Sequence, residues 1–180
     1  MIDLRSDTVT KPTAAMRKVM AEAEVGDDVW GDDPTVNRLE ELAAEMLDTE
    51  AALYVSSGTQ SNLVGILCHC QRGEEYIVGQ AAHTYKYEGG GAAVLGSIQP
   101  QPIEVERNGT LPLEKIRAAI KPDNVHFAIS RLLCLENTIG GQVLPMDYVK
   151  EASSLAKSHG LNIHLDGARI FNAAAKLDCK

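Results

Sequence analysis

The sequence predicts an α/β fold, a three-layer, mostly parallel sheet with helices on both faces. Three observations predict it. Short apolar runs and alternating stretches of strand character are separated by segments whose apolar residues recur at helical spacing. Strands alternating with helices imply parallel βαβ units, whose crossovers cover both faces of the sheet. Residues able to do chemistry fall where the strand patterns end, the edge at which open α/β sheets hold their ligands. No repeat, low-complexity tract or Pro/Ser-rich linker interrupts the 180 residues, so residues 1–180 are expected to form a single domain.

Pro12 and Thr13 open a helix through about Glu24, with Met16, Val19 and Met20 on one face. VGDDVWGDDP (25–34) is a Gly/Asp loop, and Asp33-Pro34 starts a second helix striped by Val36, Leu39, Leu42, Ala43 and Met46. Ala51 to Val55 is expected as a short buried strand, leading through Ser56–Thr59 into a helix carrying Leu63, Ile66 and Leu67. Tyr76 to Val78 predicts the next strand, Pro112 starts a helix of LPLEKIRAAI, and Arg131 to Leu135 predicts another strand. A helix over 146–158 precedes the last strand, in which Leu161, Ile163 and Leu165 alternate with Asn162 and His164 before Asp166.

Composition removes several classes of function. The net charge is −8 and no Lys/Arg block is present, which argues against nucleic acid or an anionic membrane as partner. No apolar run reaches the roughly 18 residues needed to cross a bilayer. The opening MIDLRSDTVTKP has early acids and no apolar core, unlike a signal peptide. Cys68, Cys70, Cys134 and Cys179 form no CxxC pair and are expected as free thiols in a reducing cytoplasm. Cys68-His69-Cys70 is not a metal site, because helix neighbours one and two apart point in different directions.

Four places carry candidate chemistry. In LYVSSGTQSNLVG (53–65), Ser56-Ser57-Gly58-Thr59 precede a helix, where backbone N–H groups and hydroxyls can cup a phosphate; a plain N-capped turn is the alternative. The fingerprints GxxxxGK[ST] and GxGxxG are absent. In GQAAHTYKYEGGG (79–91), His83 follows a strand and suits ring stacking or proton exchange. Glu136 and Asn137 of LCLENTIGGQVLP (133–145) lie just past another strand, while His126 precedes it. In LNIHLDGARIFNA (161–173), Asp166 ends a strand and Arg169 follows three residues later. A phosphate cup, a stacking group, an acid and an arginine along one sheet edge suit pyridoxal 5′-phosphate (PLP). Asp166 would keep the pyridine nitrogen protonated, and Arg169 would reach the ring oxygen or a carboxylate bidentately.

With IDLRSDTVT (2–10), VGDDVWGDDPTV (25–36), SGTQSNL (57–63), AAH (81–83), CLENT (134–138) and HLDGARIFNA (164–173), the chain resembles the low-specificity L-threonine aldolases. These are PLP-dependent lyases of the aspartate-aminotransferase fold type that split L-threonine or L-allo-threonine into glycine and acetaldehyde. The resemblance runs in order over all 180 residues. It implies that residues 1–180 are the PLP-binding large domain of a PLP-dependent-transferase-like fold, truncated at the carboxyl end, without the small domain. It places Ser57, Gly58 and Thr59 at the phosphate, His83 on the pyridine ring, Asp166 on the ring nitrogen, and Arg169 between ring oxygen and substrate carboxylate. Ser6 would contact that carboxylate, and Thr8 and Thr10 would lie beside a bound structural cation. His83 or His126 would take the β-hydroxyl proton, and the sequence does not choose between them. It further implies a small amino-acid substrate and a homo-oligomer, dimer or tetramer, in the cytoplasm.

Trp30 stands where the family often has Tyr, and Ile139-Gly140 where it often has His-Asn. The family's cofactor-bearing lysine lies in an SKG-like segment beyond the DGAR motif. Lys176 and Lys180 lack that context and are expected as solvated surface charge. Two rivals therefore stay open: another PLP-dependent β-eliminating lyase, and a catalytically inactive fragment.

Overall fold

Thr13 accepts a hydrogen bond from the Met16 N–H at 3.2 Å and so caps helix α1 (Ala14–Glu22). Asp33 caps α2 (Pro34–Leu47) through the N–H groups of Thr35 and Val36, and its second carboxylate oxygen accepts from Gly26 at 3.0 Å. The bonds from Val36 and Gly26 hold the Asp33 carboxyl below the usual carboxylate range. Gly26 is required here, because a Cβ on it would lie 2.2 Å from the Asp32 carbonyl oxygen. These elements belong to the first of two compact units, Met1–Tyr54 and Val55–Lys180, in a computed structural model that describes residues 2–179.

The strand expected over Ala51–Val55 does not form. The segment is irregular, Leu53 is largely exposed, and the Tyr54 N–H donates to the Glu40 side chain at 2.6 Å instead of to a ladder. A short apolar run signals burial, but only a neighbouring strand makes it a strand. The stripe of α2 is only partly covered, with Leu39, Leu42 and Met46 exposed.

The second unit is built on four parallel strands in the order β2-β1-β3-β4: β1 (Glu74–Gly79), β2 (Gln99–Ile103), β3 (Ile129–Glu136) and β4 (Asn162–Asp166). The predicted strands around Tyr76–Val78, Arg131–Leu135 and before Asp166 are all present. β2 is an addition, with the sequence QPQPI and a place at one sheet edge. Glu75 to Gly79 are buried without alternation, as expected of a strand covered on both faces. Helix α3 (Gly58–His69) packs on β3 and β4 and against α5 (Gly91–Gly96); α4 (His83–Lys86) lies on β1. Helices α6 (Leu113–Ala119) and α7 (Met146–Ser158) pack on each other and on β2 and β4, and α8 (Ile170–Leu177) closes the described chain. Ile66, Tyr76, Ile77, Val78, Leu132, Leu133, Ile116 and Ala156 form the heart of the core.

At the amino-terminal side of the sheet, Glu75 is fully buried, yet it accepts from Ser130 Oγ at 2.6 Å and Gln99 at 3.1 Å and pairs with Lys121. Those partners satisfy a carboxylate that burial alone would make costly. Cys68 at the surface and Cys70 in the core end α3 with no shared direction, and all four cysteines are free thiols.

Candidate active site

Parallel strands deliver their carboxyl ends to one edge, and the register here aligns them. Glu136 on β3 stands opposite Asp166 on β4, and Val78 on β1 opposite Cys134 on β3. His83 begins α4 four residues after β1 ends. Its backbone N–H donates to Glu136 Oε2 at 2.6 Å, which ties the start of α4 to the end of β3. Burial pushes the Glu136 carboxyl up, and the Asp166 charge adds to this. The His83 N–H bond and the positive charge of Arg169 pull it back.

Asp166 is buried at the last position of β4. Its Oδ1 accepts from the Ala168 N–H at 3.1 Å, the Asx-type turn for which an Asp-Gly-Ala sequence is suited. Its Oδ2 accepts from Asn62 Nδ2 at 2.8 Å, and its carbonyl accepts from Asn137 N–H at 2.9 Å. Asn62 is buried on α3, one turn before Ile66, and makes two further bonds. Its Nδ2 also donates to Glu88 Oε1 at 2.8 Å, and its Oδ1 meets His164 Nε2 at 2.9 Å. An amide nitrogen between two carboxylates must be the donor end, so His164 supplies its Nε2–H to the amide oxygen. Burial depresses the protonation of His164, while the Asp166 charge opposes that effect. Glu88 Oε1 also lies 2.7 Å from His83 Nδ1.

Helix α3 links this cluster to the candidate phosphate cup. Ser57 caps the helix, accepting from Gln60 N–H at 3.2 Å, and Ser56 Oγ donates to the Gln60 side chain at 2.7 Å. The opening N–H groups of a helix have no partner within it, and its dipole favours an anion there. A Cβ on Gly58 would meet no atom within 4 Å, so the cup is open rather than packed shut. Asn62 lies one turn along from Gly58, about 5–6 Å of helix axis. Helix α3 thus carries the cup at its start and, through Asn62, a hydrogen bond to the Asp166 carboxylate at the end of β4.

Sequence reasoning placed Ser57, Gly58, Thr59, His83, Asp166 and Arg169 at one site, and the structure sets all of them in the second unit. Arg169 stands at the start of α8 and acts electrostatically on Glu136. His126 is not brought to this edge. It precedes the first residue of β3 by three positions, whereas Glu136 ends that strand about 25 Å away along its length. Its N–H donates to the Asn124 side chain in a local turn. Ser6, Thr8 and Thr10 belong to the first unit. Ser6 accepts from the Thr8 N–H and hydroxyl at 3.2 and 2.9 Å, and Thr10 Oγ1 donates to the Asp7 carbonyl at 2.7 Å.

Asn62 and Glu88 were missed by sequence reasoning. Asn62 shares the inward face of α3 with Ile66, four residues on, and a polar residue on an apolar face was the available signal. Glu88 precedes the Gly89-Gly90 turn, where both glycines have positive φ, and nothing local marks it. The ligand atoms of His83, Glu88 and Asp166 lie within 4.8 Å of one another, close enough to hold a cation, but the Asn62 amide already donates to both carboxylates.

A family model described as beta-eliminating lyase matches residues 3–180. The chain is 61% identical over 180 residues to a low specificity L-threonine aldolase of Escherichia coli K12, covering all of this chain and 54% of that protein. It is 49% identical to a probable low-specificity L-threonine aldolase 2 of Arabidopsis thaliana, covering 98% of this chain and 51% of the other. The chain thus spans about half the length of the curated relatives it matches. Among solved structures, a threonine aldolase of Leishmania major superposes with a TM-score of 0.74 at 26% identity, covering 89% of this chain and 47% of that one. A putative L-allo-threonine aldolase of Listeria monocytogenes, TM-score 0.66 at 21% identity, covers 90% of this chain and 45% of its own and shares the fold. No helix among the described residues is long and apolar enough to cross a membrane.

Proposed function

Because the chain belongs to the beta-eliminating lyase family, we propose that it forms the PLP-binding large domain of an enzyme that cleaves L-threonine or L-allo-threonine to glycine and acetaldehyde. The names of its relatives in Escherichia coli and Arabidopsis thaliana support this reaction. The observation that carries the reading is the Asn62–Asp166 hydrogen bond, which joins the helix bearing the cup to the acid at the end of β4.

Bound PLP supplies an electron sink for the pair released when the Cα–Cβ bond breaks. The residues of this chain bind and orient. Ser57, Gly58 and Thr59 hold the phosphate at the α3 terminus. Asp166, accepting from Asn62 and Ala168, keeps a lone pair for the ring N–H and so holds the proton there. His83 would lie against the ring and would accept the β-hydroxyl proton; its place beside Asp166, at the edge opposite His126, favours it as the base. Arg169 takes the substrate carboxylate. A structural cation would use the oxygen lone pairs that Thr8 and Thr10 keep after donating their hydrogens. The same reading implies an amino-acid substrate, a cytoplasmic setting and a homo-oligomer, dimer or tetramer.

The family description favours one second reading, β-elimination from an amino acid such as tyrosine or tryptophan. Two measurements decide. Titration with PLP, followed by absorbance, is expected to show binding that Asp166→Asn weakens by roughly 10- to 100-fold, the worth of one charge-assisted hydrogen bond. With threonine and PLP, an enzyme that joins this chain to the lysine-bearing segment of its family is expected to give acetaldehyde in a coupled alcohol dehydrogenase assay. Equal PLP affinity in the variant, or pyruvate from tyrosine without acetaldehyde from threonine, would overturn the assignment.

A further inference from the structure

We propose that Glu88 is a positioning residue that fixes His83 as its Nδ1–H tautomer and leaves Nε2 as the ring's proton-accepting nitrogen; the catalytic use of that nitrogen rests on the function proposed above, but the tautomer does not. The inference begins at Asn62. Its Nδ2 donates to both Asp166 Oδ2 and Glu88 Oε1, at 2.8 Å each, so an acceptor is pinned at Glu88 Oε1. That same oxygen lies 2.7 Å from His83 Nδ1. A carboxylate has no hydrogen to give, so a contact of this length requires the proton on Nδ1. Neutral imidazole carries one N–H, and Nε2 is then unprotonated.

Burial sets the direction of control. The Glu88 side chain is 4% exposed and that of His83 46% exposed, so the carboxylate is the fixed partner and the ring reaches outward from it. The backbone supports both ends. The His83 N–H is held by Glu136, and Glu88 accepts from the Gly91 N–H at 3.1 Å across the Gly89-Gly90 turn. Tyr87, between them in sequence, places its ring 5.6 Å from the His83 ring at a 37° tilt, which limits the orientations the imidazole can take. An anchored carboxylate behind a histidine is the arrangement that selects tautomer and orientation for proton transfer at the opposite nitrogen. Asn62 acts one step further back, clipping Glu88 and Asp166 into a single frame.

Long-range proton–nitrogen correlation spectra of the chain labelled with 15N-histidine test this without PLP. Spectra are taken near pH 8, about 1.5 units above the ordinary histidine value, and the His83 signals are assigned from their loss in His83→Asn. The wild type is expected to show Nδ1 protonated and Nε2 bare. Glu88→Gln is expected to keep that tautomer, because the Asn62 amide holds the glutamine oxygen in the same place. Glu88→Ala is expected to give a mixture of both tautomers. An Nε2–H tautomer in the wild type, an unchanged tautomer in Glu88→Ala, or a switched one in Glu88→Gln overturns the proposal. Should Glu88→Ala fail to fold, the wild-type and Glu88→Gln spectra still decide. Loss of PLP binding or of aldol cleavage would leave these spectra as they are, so the two proposals fail separately.

Discussion

Replacing Asn62 by alanine removes three hydrogen bonds from a site buried to 4% exposure. Two of them go to carboxylates, each worth about 1.5–3 kcal/mol, and the third, from neutral His164, about 1 kcal/mol. The loss is moderated, because Asp166 keeps the Ala168 N–H and Glu88 keeps His83. The expected destabilisation is about 4 kcal/mol, a large part of the roughly 5–15 kcal/mol by which a domain is stable. In urea, at a slope of about 2 kcal/mol per molar, the unfolding midpoint should fall by about 2 M. Asn62→Asp should be worse, since it sets a third acid between two others. A midpoint shift under about 0.3 M in Asn62→Ala would show that the amide does not hold the two carboxylates, and the frame drawn around Asp166 would be wrong.

Two further outcomes follow from the same corner of the fold. The protonation of His164 is depressed in the folded chain, so its contribution to stability is full above the unfolded value of 6.5 and is lost as pH falls through the lower folded value. Denaturation midpoints should decline below pH 6.5, and His164→Gln should flatten that decline; an unchanged slope would refute the depression. Gly65→Ala puts a Cβ 2.8 Å from His164 Cε1. Alanine's helix preference of up to about 1 kcal/mol should be outweighed by overpacking of about 1–3 kcal/mol, lowering the thermal midpoint, and a raised midpoint would refute it.

The sheet and its functional edge were legible because burial imposes patterns. The run around Ile77 is continuous and buried and became β1, while the alternation of Leu161, Ile163 and Leu165 marked β4 although Leu165 stays exposed. Asp166, His83 and Glu136 then fell at one edge for a topological reason, since parallel strands all end on the same side. His126 was ambiguous because a residue before a strand and one after it look alike as letters, although they lie at opposite edges. β2 was illegible because QPQPI has the composition of a turn. Ala51–Val55 shows the reverse error, an apolar run with no ladder beside it. The framing of the site escaped notice for a different reason. Asn62 and Glu88 meet His83, Asp166 and His164 across separations of up to 104 residues, and no local pattern reports such a meeting.

The prolines of β2 carry one more consequence. Pro100 and Pro102 occupy alternate positions of a border strand that, among the described residues, is hydrogen-bonded to β1 alone. Alternate residues in a strand turn their amides the same way, and these two have none to offer. The outer flank of β2 is therefore a poor template for a visiting extended segment, and the sheet is protected on that side from stacking against stray chains.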